Sequence, residues 1–249
     1  MSKMNSISKL WDERWRKIED LESFLCVEKS KNNWTNHHFN LIDNKLSKLP
    51  EGSFFLEAGC GLGQWCIYAS QKYGIKSIGV DIAINTLKKL DEYIKKNNLK
   101  KVEFLRDDLN DTKLPDGTFD FFICLGVIEH FYHSKELVDN LFKVTKRNGE
   151  GLVSVPNLYS LHTILRPLAK LLDKWEIGYE KSFSPIKLKV LVKKAGFKVV
   201  HFGVIPSGEM FGCLLNNIPF LGKFFNKLSY LVESRQSTWG FISYVWVKK

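Results

Sequence analysis

Three glycines at alternate positions follow a short apolar run early in the chain. The segment from residue 54 reads FFLEAGCGLG, and the glycines are Gly59, Gly61 and Gly63. Glycine lets the backbone turn tightly and approach a ligand closely. The helix that we predict over 64–73 would offer free N–H groups to an anion. The pattern therefore predicts a ligand-binding turn between a buried strand and a helix.

The glycine spacing differs from two common nucleotide-binding signatures. A dinucleotide fingerprint, GxGxxG, would need glycine where Gln64 stands. The phosphate-binding loop GxxxxGK[ST] is also absent from the sequence. What remains is ExGxGxG, with Glu57 at the end of the predicted strand.

This motif resembles motif I of the class I S-adenosylmethionine-dependent methyltransferases, and the resemblance continues in order along the chain. It covers about residues 51–205 and the last strand, and it is similar to small-molecule, type 11-like members such as the quinone-biosynthesis methyltransferases. It implies a Rossmann-like α/β fold with a seven-stranded, mostly parallel sheet and helices on both faces. It also implies S-adenosyl-L-methionine as the cofactor, bound by Glu57, Gly59, Cys60, Gly61, Gly63, Asp81, Ile82, Asp108, Leu109, Leu125 and Trp15.

The same resemblance gives several of these residues a role. Asp81 would accept both ribose hydroxyls with Ile82 packed on the adenine, although a helix N-cap is the alternative for a strand-ending aspartate. Asp108 would accept from the adenine amine, and the backbone N–H of Leu109 would donate to a ring nitrogen. Asp107 stands where the family often has glycine, so the choice between Asp107 and Asp108 stays open.

The segment WDERW at residues 11–15 is similar to a WxxRW segment that precedes the first strand in many small-molecule members. There the aromatic and Arg residues close over the cofactor. Trp11 and Trp15 are also four residues apart on one helical face, so ordinary core packing is the alternative.

Methyl transfer from a sulfonium is an in-line displacement, so the protein must align the reactants and exclude water. An oxygen or carbon acceptor would also gain from a general base near the carboxyl ends of the strands. His130, just after the fourth predicted strand, is the candidate, and capping or packing is its alternative role. Tyr179, Glu180 and Lys181 resemble a segment that could touch the substrate.

Apolar runs of strand length alternate with helix-length segments along the chain. Continuous apolar runs are typical of parallel strands covered on both faces, and the alternation predicts a doubly wound sheet. We predict strands at 53–56, 77–80, 102–105, 119–125, 151–155, 197–205 and 239–247. We predict helices at 7–22, 34–48, 64–73, 82–97, 135–145 and 185–195, with Asn148 and Gly149 as a stop signal after the fifth.

We predict a single methyltransferase domain over 1–249. It comprises a helical cap at 1–50, a cofactor-binding core at 51–155, lid insertions at 156–183 and 206–237, and the segments 184–205 and 238–249 that complete the sheet. Both insertions carry an amphipathic stripe, at 158–172 and 220–232. These stripes either cover the sheet or an apolar pocket, or they meet a membrane surface or a lipid-like substrate.

The composition adds limits on partners. Lys and Arg number 37 against 27 Asp and Glu, a net charge of +10, which favours anionic small molecules or lipid headgroups. The basic residues are spread out with no recognised binding motif, which disfavours nucleic acid. Five cysteines without zinc spacing predict no metal site and a reducing compartment. With no signal peptide and no long apolar run, we expect a cytoplasmic protein, with peripheral membrane contact left open.

Two other classes of protein stay open. A nicotinamide-dependent oxidoreductase is disfavoured by Gln64 and by the long helical segment before the first strand. A non-catalytic protein that binds the cofactor or nucleic acid is the second alternative. The acceptor, the methylated atom and the oligomeric state are not readable from the sequence.

Overall fold

The structure is a computed structural model that describes residues 3–29, 33–205 and 240–249. Within these ranges the strands are β1 Phe54–Ala58, β2 Lys76–Asp81, β3 Val102–Arg106, β4 Phe119–Leu125, β5 Thr145–Pro156, β6 Lys198–Ile205 and β7 Ile242–Lys248. The α-helices in the same ranges are α1 Lys3–Arg16, α2 Leu21–Leu25, α3 Asn33–Leu46, α4 Gln64–Tyr73, α5 Ile84–Lys96, α6 Ser134–Val144, α7 Leu161–Leu171 and α8 Pro185–Lys194.

The strands form one sheet in the order β3-β2-β1-β4-β5-β7-β6. Strand β1 pairs in parallel with β2 and β4, and β2 pairs in parallel with β3. Strand β7 runs antiparallel to β6. The predicted seven-stranded, mostly parallel sheet is therefore confirmed. Because β1, β2 and β3 are parallel neighbours, their carboxyl ends lie at one edge, where ligands of such sheets bind.

Aromatic side chains fill the centre of the sheet. Phe55 of β1 lies beside Phe121 of β4 in the strand register, and their rings stack with centroids 5.7 Å apart. Phe122 occupies the space that a side chain at Gly151 would need, since a Cβ there would come within 2.0 Å of its ring. Burying each such ring stabilises the fold by about 1.5–3 kcal/mol. This explains why the apolar runs of β1 and β4 are continuous.

Strand β5 begins earlier than we predicted. It starts at Thr145, directly after α6, and runs through the expected stop signal at Asn148 and Gly149. Asn148 adopts a φ of 67°, and its N–H donates to the carbonyl of Lys249 at 3.1 Å. The N–H of Lys249 donates in turn to the carbonyl of Gly149 at 2.9 Å. The predicted strand start at residue 151 is therefore wrong, because the segment before it already bonds to the backbone of Lys249.

The C-terminal end of the first predicted helix, over 7–22, is also wrong. Helix α1 stops at Arg16, and a new short helix, α2, begins at Leu21. The side chain of Asp20 accepts a hydrogen bond from the N–H of Ser23 at 2.9 Å, which starts α2. An N-cap aspartate of this kind favours a new helix over continuation of the old one.

Helix α1 is fastened to the start of α5. The N-cap residue of α5 is Ala83, which has no side-chain acceptor. Instead, Asp12 Oδ1 accepts from the N–H groups of Asn85 and Thr86, both at 3.0 Å. Ser8 Oγ donates to the carbonyl of Ile82 at 2.7 Å. A side chain 73 residues away thus performs the capping that the local sequence lacks.

We expect Asp12→Ala to lower the free energy of unfolding by about 1–2 kcal/mol, because two N–H groups of α5 lose their acceptor. Thermal unfolding should show a melting temperature about 2–8 °C lower than that of the wild type. Glu13→Ala is the control, since Glu13 makes only an exposed pair with Lys9 at 3.9 Å. Equal melting temperatures for the two variants would contradict this capping role.

The chain groups into two compact units, and both are discontinuous in sequence. The first unit comprises Met1–Cys124, Glu136–Gly151 and Lys249, and the second comprises Leu125–Lys135 and Leu152–Lys248. The single domain over 1–249 stays a prediction. The second predicted insertion, its amphipathic stripe at 220–232 and the first residue of the predicted last strand, 239, lie outside the described residues. Within the described ranges, no helix has the length and apolarity that crossing a membrane requires.

Candidate active site

The glycine turn connects β1 to α4, and each of its three glycines has a positive φ. The angles are 74° at Gly59, 50° at Gly61 and 65° at Gly63. A Cβ at Gly61 would lie 2.5 Å from the ring of Trp15, and a Cβ at Gly63 would lie 2.3 Å from the ring of Phe104. The turn therefore needs glycine both for its backbone angles and for the close approach of two aromatic rings.

Trp15 belongs to α1, and its side chain contacts the glycine turn. Its ring packs over Gly61, stacks on Trp11 at 6.1 Å between centroids and meets the edge of Phe24 at 6.2 Å. The two tryptophans therefore form one aromatic face of α1, as their spacing predicted. The structure places that face against the glycine turn, which fits both alternatives that the sequence left open for Trp15.

The prediction that α4 offers free N–H groups to an anion is wrong for Trp65 and Cys66, because both N–H groups donate to the Glu57 carboxyl. The N–H of Gly61 donates to Asp81 Oδ2 at 2.8 Å, and that of Gly63 donates to the carbonyl of Cys60 at 2.7 Å. The N–H of Cys66 donates to Glu57 Oε2, also at 2.8 Å. Carboxylates of the chain thus take the place of an anionic ligand, and the turn is better suited to a ligand that donates hydrogen bonds or carries positive charge.

Glu57 is the buried carboxyl of this turn. Its side chain accepts from the N–H groups of Cys66 and Trp65 and so caps α4 from the end of β1. Burial raises the pKa of Glu57 to about 8, because the loss of hydration outweighs these hydrogen bonds. The pKa of this buried carboxyl therefore lies close to neutral pH, which was not predicted from the sequence.

Asp81 ends β2 beside the turn. One oxygen accepts from the N–H of Gly61, and Oδ1 accepts from the N–H of Ala83 at 3.0 Å. The N-cap residue of α5 is Ala83 itself, so the alternative of Asp81 as that N-cap residue is wrong. A carboxylate offers about four lone-pair positions, and Asp81 already accepts from the N–H groups of Gly61, Ile82 and Ala83. Burial raises the pKa of Asp81.

The two candidate aspartates after β3 have different surroundings. Asp107 folds the loop: its Oδ1 accepts from the N–H of Asp108, and its Oδ2 accepts from Thr112 Oγ1 at 2.6 Å and from the N–H of Lys113 at 2.9 Å. Asp108 Oδ1 accepts from the N–H of Asn110, while its Oδ2 has no partner in the part of the chain that the structure describes. This favours Asp108 over Asp107 as the residue open to a ligand.

Leu109 and Leu125 complete the candidate contacts. Leu109 is buried, and its carbonyl accepts from Asn140 Nδ2 at 3.0 Å. Leu125 ends β4 and is half-buried, followed by Gly126 with a φ of 70°. Ile82, also half-buried, follows directly after Asp81. Each residue thus lies at or just beyond the carboxyl end of a parallel strand, as the sequence predicted.

His130 lies in the second unit, in a short turn of 3₁₀ helix. Its Nδ1 is 2.8 Å from the carbonyl oxygen of Tyr179. A carbonyl oxygen can only accept a hydrogen bond, so Nδ1 must be the donor and carry the hydrogen. In the neutral tautomer of the ring, the lone pair is then on Nε2. The rings of Tyr132 and Tyr179 stack with centroids 4.0 Å apart and are both exposed. The structure thus brings together His130 and the segment around Tyr179 that the sequence singled out.

The buried carboxyl of Glu129 lies beside this histidine, with its Oε1 3.8 Å from His130 Nε2, and a second buried carboxyl, Glu180, follows Tyr179 in the chain. Burial, with a smaller effect of Glu180, raises the pKa of Glu129 well above its ordinary range. Glu180 pairs with Arg166 and His162, each at 3.2 Å, and burial lowers the pKa of Lys181. Sequence reasoning missed these pairs, because the paired residues are 14 and 18 positions apart in the chain. Among the described residues, no cluster of His, Cys, Asp and Glu suits a metal ion.

The sheet order and the glycine turn define a class I S-adenosylmethionine-dependent methyltransferase fold. Residues 36–202 match the family model described as a methyltransferase domain. This is more than half of the chain, so the chain belongs to that family, and the predicted resemblance is confirmed.

The chain is similar to methyltransferases with different acceptors. It is 30% identical over 109 residues to the phosphoethanolamine N-methyltransferase of Plasmodium falciparum, covering 43% of this chain and 40% of that protein. It is 24% identical over 205 residues to a ubiquinone biosynthesis O-methyltransferase of Rickettsia canadensis, covering 80% and 82%. The first curated relatives are thus matched over two fifths of their length or less. Among solved structures, phosphoethanolamine N-methyltransferase 2 of Haemonchus contortus aligns with a TM-score of 0.66 at 15% identity, over 96% of this chain and 60% of that one.

Proposed function

We propose that this protein transfers a methyl group from S-adenosylmethionine to a small-molecule or lipid-like acceptor. The main support is the set of three carboxyls at the ends of β1, β2 and just beyond β3, from Glu57, Asp81 and Asp108. Their acceptor oxygens suit a ligand with hydroxyl and amine donors and positive charge. S-adenosylmethionine has a ribose diol, an adenine amine, an ammonium and a sulfonium, so the donor set fits it.

The bound cofactor supplies an activated methyl group on its sulfonium sulfur. Asp81 would accept from the ribose hydroxyls, and Ile82 would pack on the adenine. Asp108 Oδ2 accepts from the adenine amine, with the N–H of Leu109 directed to a ring nitrogen. Trp15 excludes water from the turn, and Leu125 borders the methionine end.

His130 is proposed as the general base for an oxygen acceptor. The carbonyl of Tyr179 fixes the proton on Nδ1, so Nε2 is the atom that takes the acceptor's proton. Glu129 is less suited, because its carboxyl is buried and burial raises its pKa well above the ordinary range. The exposed stacked pair of Tyr132 and Tyr179 gives the acceptor an aromatic surface beside this histidine.

We expect His130→Ala to lower kcat by about 100-fold with an oxygen acceptor, in the usual range for loss of a general base. The affinity for S-adenosylhomocysteine should stay unchanged. His133→Ala is the matched control, since His133 is exposed and only three residues away. Equal kcat values for His130→Ala and the wild type would remove the base assignment, and a nitrogen acceptor would show a much smaller effect.

Equilibrium binding tests the cofactor class directly. Isothermal titration should detect binding of S-adenosylhomocysteine to the wild-type protein and none of NADH. Tight binding of NADH without S-adenosylhomocysteine would instead support a nicotinamide-dependent oxidoreductase. Binding of S-adenosylhomocysteine without turnover of any acceptor would support a non-catalytic binding protein.

The acceptor class is tested with cell extract separated into lipid and aqueous fractions. Relatives are named for phosphoethanolamine and for ubiquinone biosynthesis, so both small polar and lipid-like acceptors are candidates here. Label from methyl-labelled S-adenosylmethionine should enter one fraction with the wild-type protein. The same fraction should stay unlabelled with an inactive variant.

A further inference from the structure

Helix α7 exposes the apolar stripe at 158–172, for which the sequence left two roles open. Its outward face carries Ile164, Leu168, Leu171 and Leu172, which are 55%, 44%, 80% and 49% exposed. The spacing i, i+4, i+7, i+8 puts all four on one side of the helix. The alternative that this stripe covers the sheet is therefore wrong for these four residues.

The opposite side of α7 is firmly held. Ala169 is buried, and Arg166 and His162 both pair with Glu180. These three residues are spaced i, i+4, i+7, so the polar anchors and the buried alanine share the inner side. The exposed leucines are thus presented by a helix fixed to the segment that contacts His130, through the neighbouring Tyr179.

The charge of the second unit indicates what this face meets. Its described residues include 11 Lys and Arg but four Asp and Glu, an excess of seven out of the chain's ten. Two of those four carboxyls, Glu129 and Glu180, are buried, and the other two, Asp173 and Glu176, are exposed just after α7, so most of the positive excess lies elsewhere on the unit. Lys170 and Lys174 flank the leucines, and Lys170 lies 5.9 Å from the ring centre of Trp175 at the end of the helix. Leucines flanked by lysine and tryptophan are typical of helices that lie in a membrane interface.

We propose that α7 docks the protein on an anionic lipid surface, with its leucines in the headgroup region and its lysines on the lipid phosphates. This deepens the proposed function, since the acceptor would be taken from that surface. An exposed lysine near such a surface contributes about 1 kcal/mol, or roughly fivefold in affinity. Contacts between the apolar face and the lipid add a further part of the affinity, and salt does not screen this part.

Vesicle sedimentation tests the proposal with phosphatidylcholine vesicles and with vesicles containing one quarter phosphatidylglycerol. The wild-type protein should sediment with the anionic vesicles only. Leu168→Glu/Leu172→Glu should lower this affinity at least tenfold. The matched control is Ile186→Glu/Val190→Glu, which changes two exposed apolar residues of α8 at the same spacing, 67% and 45% exposed, and adds the same charge. The control should lose at most a few-fold.

Equal losses in the two double variants, or no sedimentation of the wild type, would overturn the proposal. A wild-type dimer that Leu168→Glu/Leu172→Glu converts to a monomer would show that a second copy covers this face. As a variant that keeps the face apolar, Leu171→Trp should add fluorescence that brominated lipid quenches, whereas the fluorescence that Ile186→Trp adds should not be quenched. Both are compared with the wild type, because its own Trp175 lies next to α7. Affinity for S-adenosylhomocysteine, measured in parallel, separates failure of docking from failure of the methyltransferase proposal.

Discussion

Replacing Asp81 with asparagine is expected to weaken binding of S-adenosylhomocysteine about 100-fold. The charge-assisted hydrogen bonds to two ribose hydroxyls contribute about 1.5–3 kcal/mol each, and an amide replaces one acceptor oxygen with a donor. Isothermal titration with the folded variant measures the loss directly. Asparagine is preferable to alanine, because it can still accept from either Gly61 or Ala83 and so keeps part of the turn.

The control for this variant is Asp120→Asn. Asp120 Oδ2 accepts from the N–H of Phe54 at 2.8 Å and pairs with Lys146 at 2.7 Å. It lies at the amino-terminal end of β4, away from the edge where the cofactor is proposed to bind. We expect Asp120→Asn to lower the melting temperature with no change in affinity. Unchanged affinity in Asp81→Asn would remove the ribose assignment, and equal losses in both variants would assign the effect to stability.

Local patterns were sufficient where an element depends on its own residues. Helix α4 and strand β4 have the bounds that we predicted, 64–73 and 119–125. Glycine ends the helix and apolar residues fill the strand, so short-range signals define both. The parallel pairing of β1 with β2 and of β2 with β3 also followed from the alternation of strands with helices, because parallel neighbours require such crossovers.

Contacts distant in sequence account for what was missed. The backbone of Lys249 extends β5 by six residues, and Asp12 caps α5 from another helix. In both cases the residue that sets the element's boundary lies outside the segment that forms the element. In the site, the identities of the carboxyls were predictable from the resemblance to a family. Their hydrogen bonds to the glycine turn were not, because they depend on how closely β1 and β2 approach α4.

The pH dependence of stability should change when Glu57 is replaced by glutamine. The pKa of Glu57 rises from 4.5 to about 8 on folding, so the folded state holds the proton more tightly than the unfolded state. The contribution of this residue is therefore fully present below about pH 4.5 and is lost as pH rises through about 8. Each unit of pKa shift corresponds to about 1.4 kcal/mol, so the loss amounts to several kcal/mol.

Urea denaturation at pH 5.0, 6.5 and 8.0 measures this effect. The free energy of unfolding of the wild type should fall with pH relative to that of Glu57→Gln, whose side chain stays neutral and still accepts from the N–H of Cys66. Asp81 and Glu129 have raised pKa values as well, but they are common to both proteins and cancel in the difference. Glu51→Gln, a change at an exposed glutamate before β1, should follow the wild type. Parallel profiles for Glu57→Gln and the wild type would show that the Glu57 carboxyl is ionised in the folded protein throughout this range, and the turn would then carry a fixed negative charge.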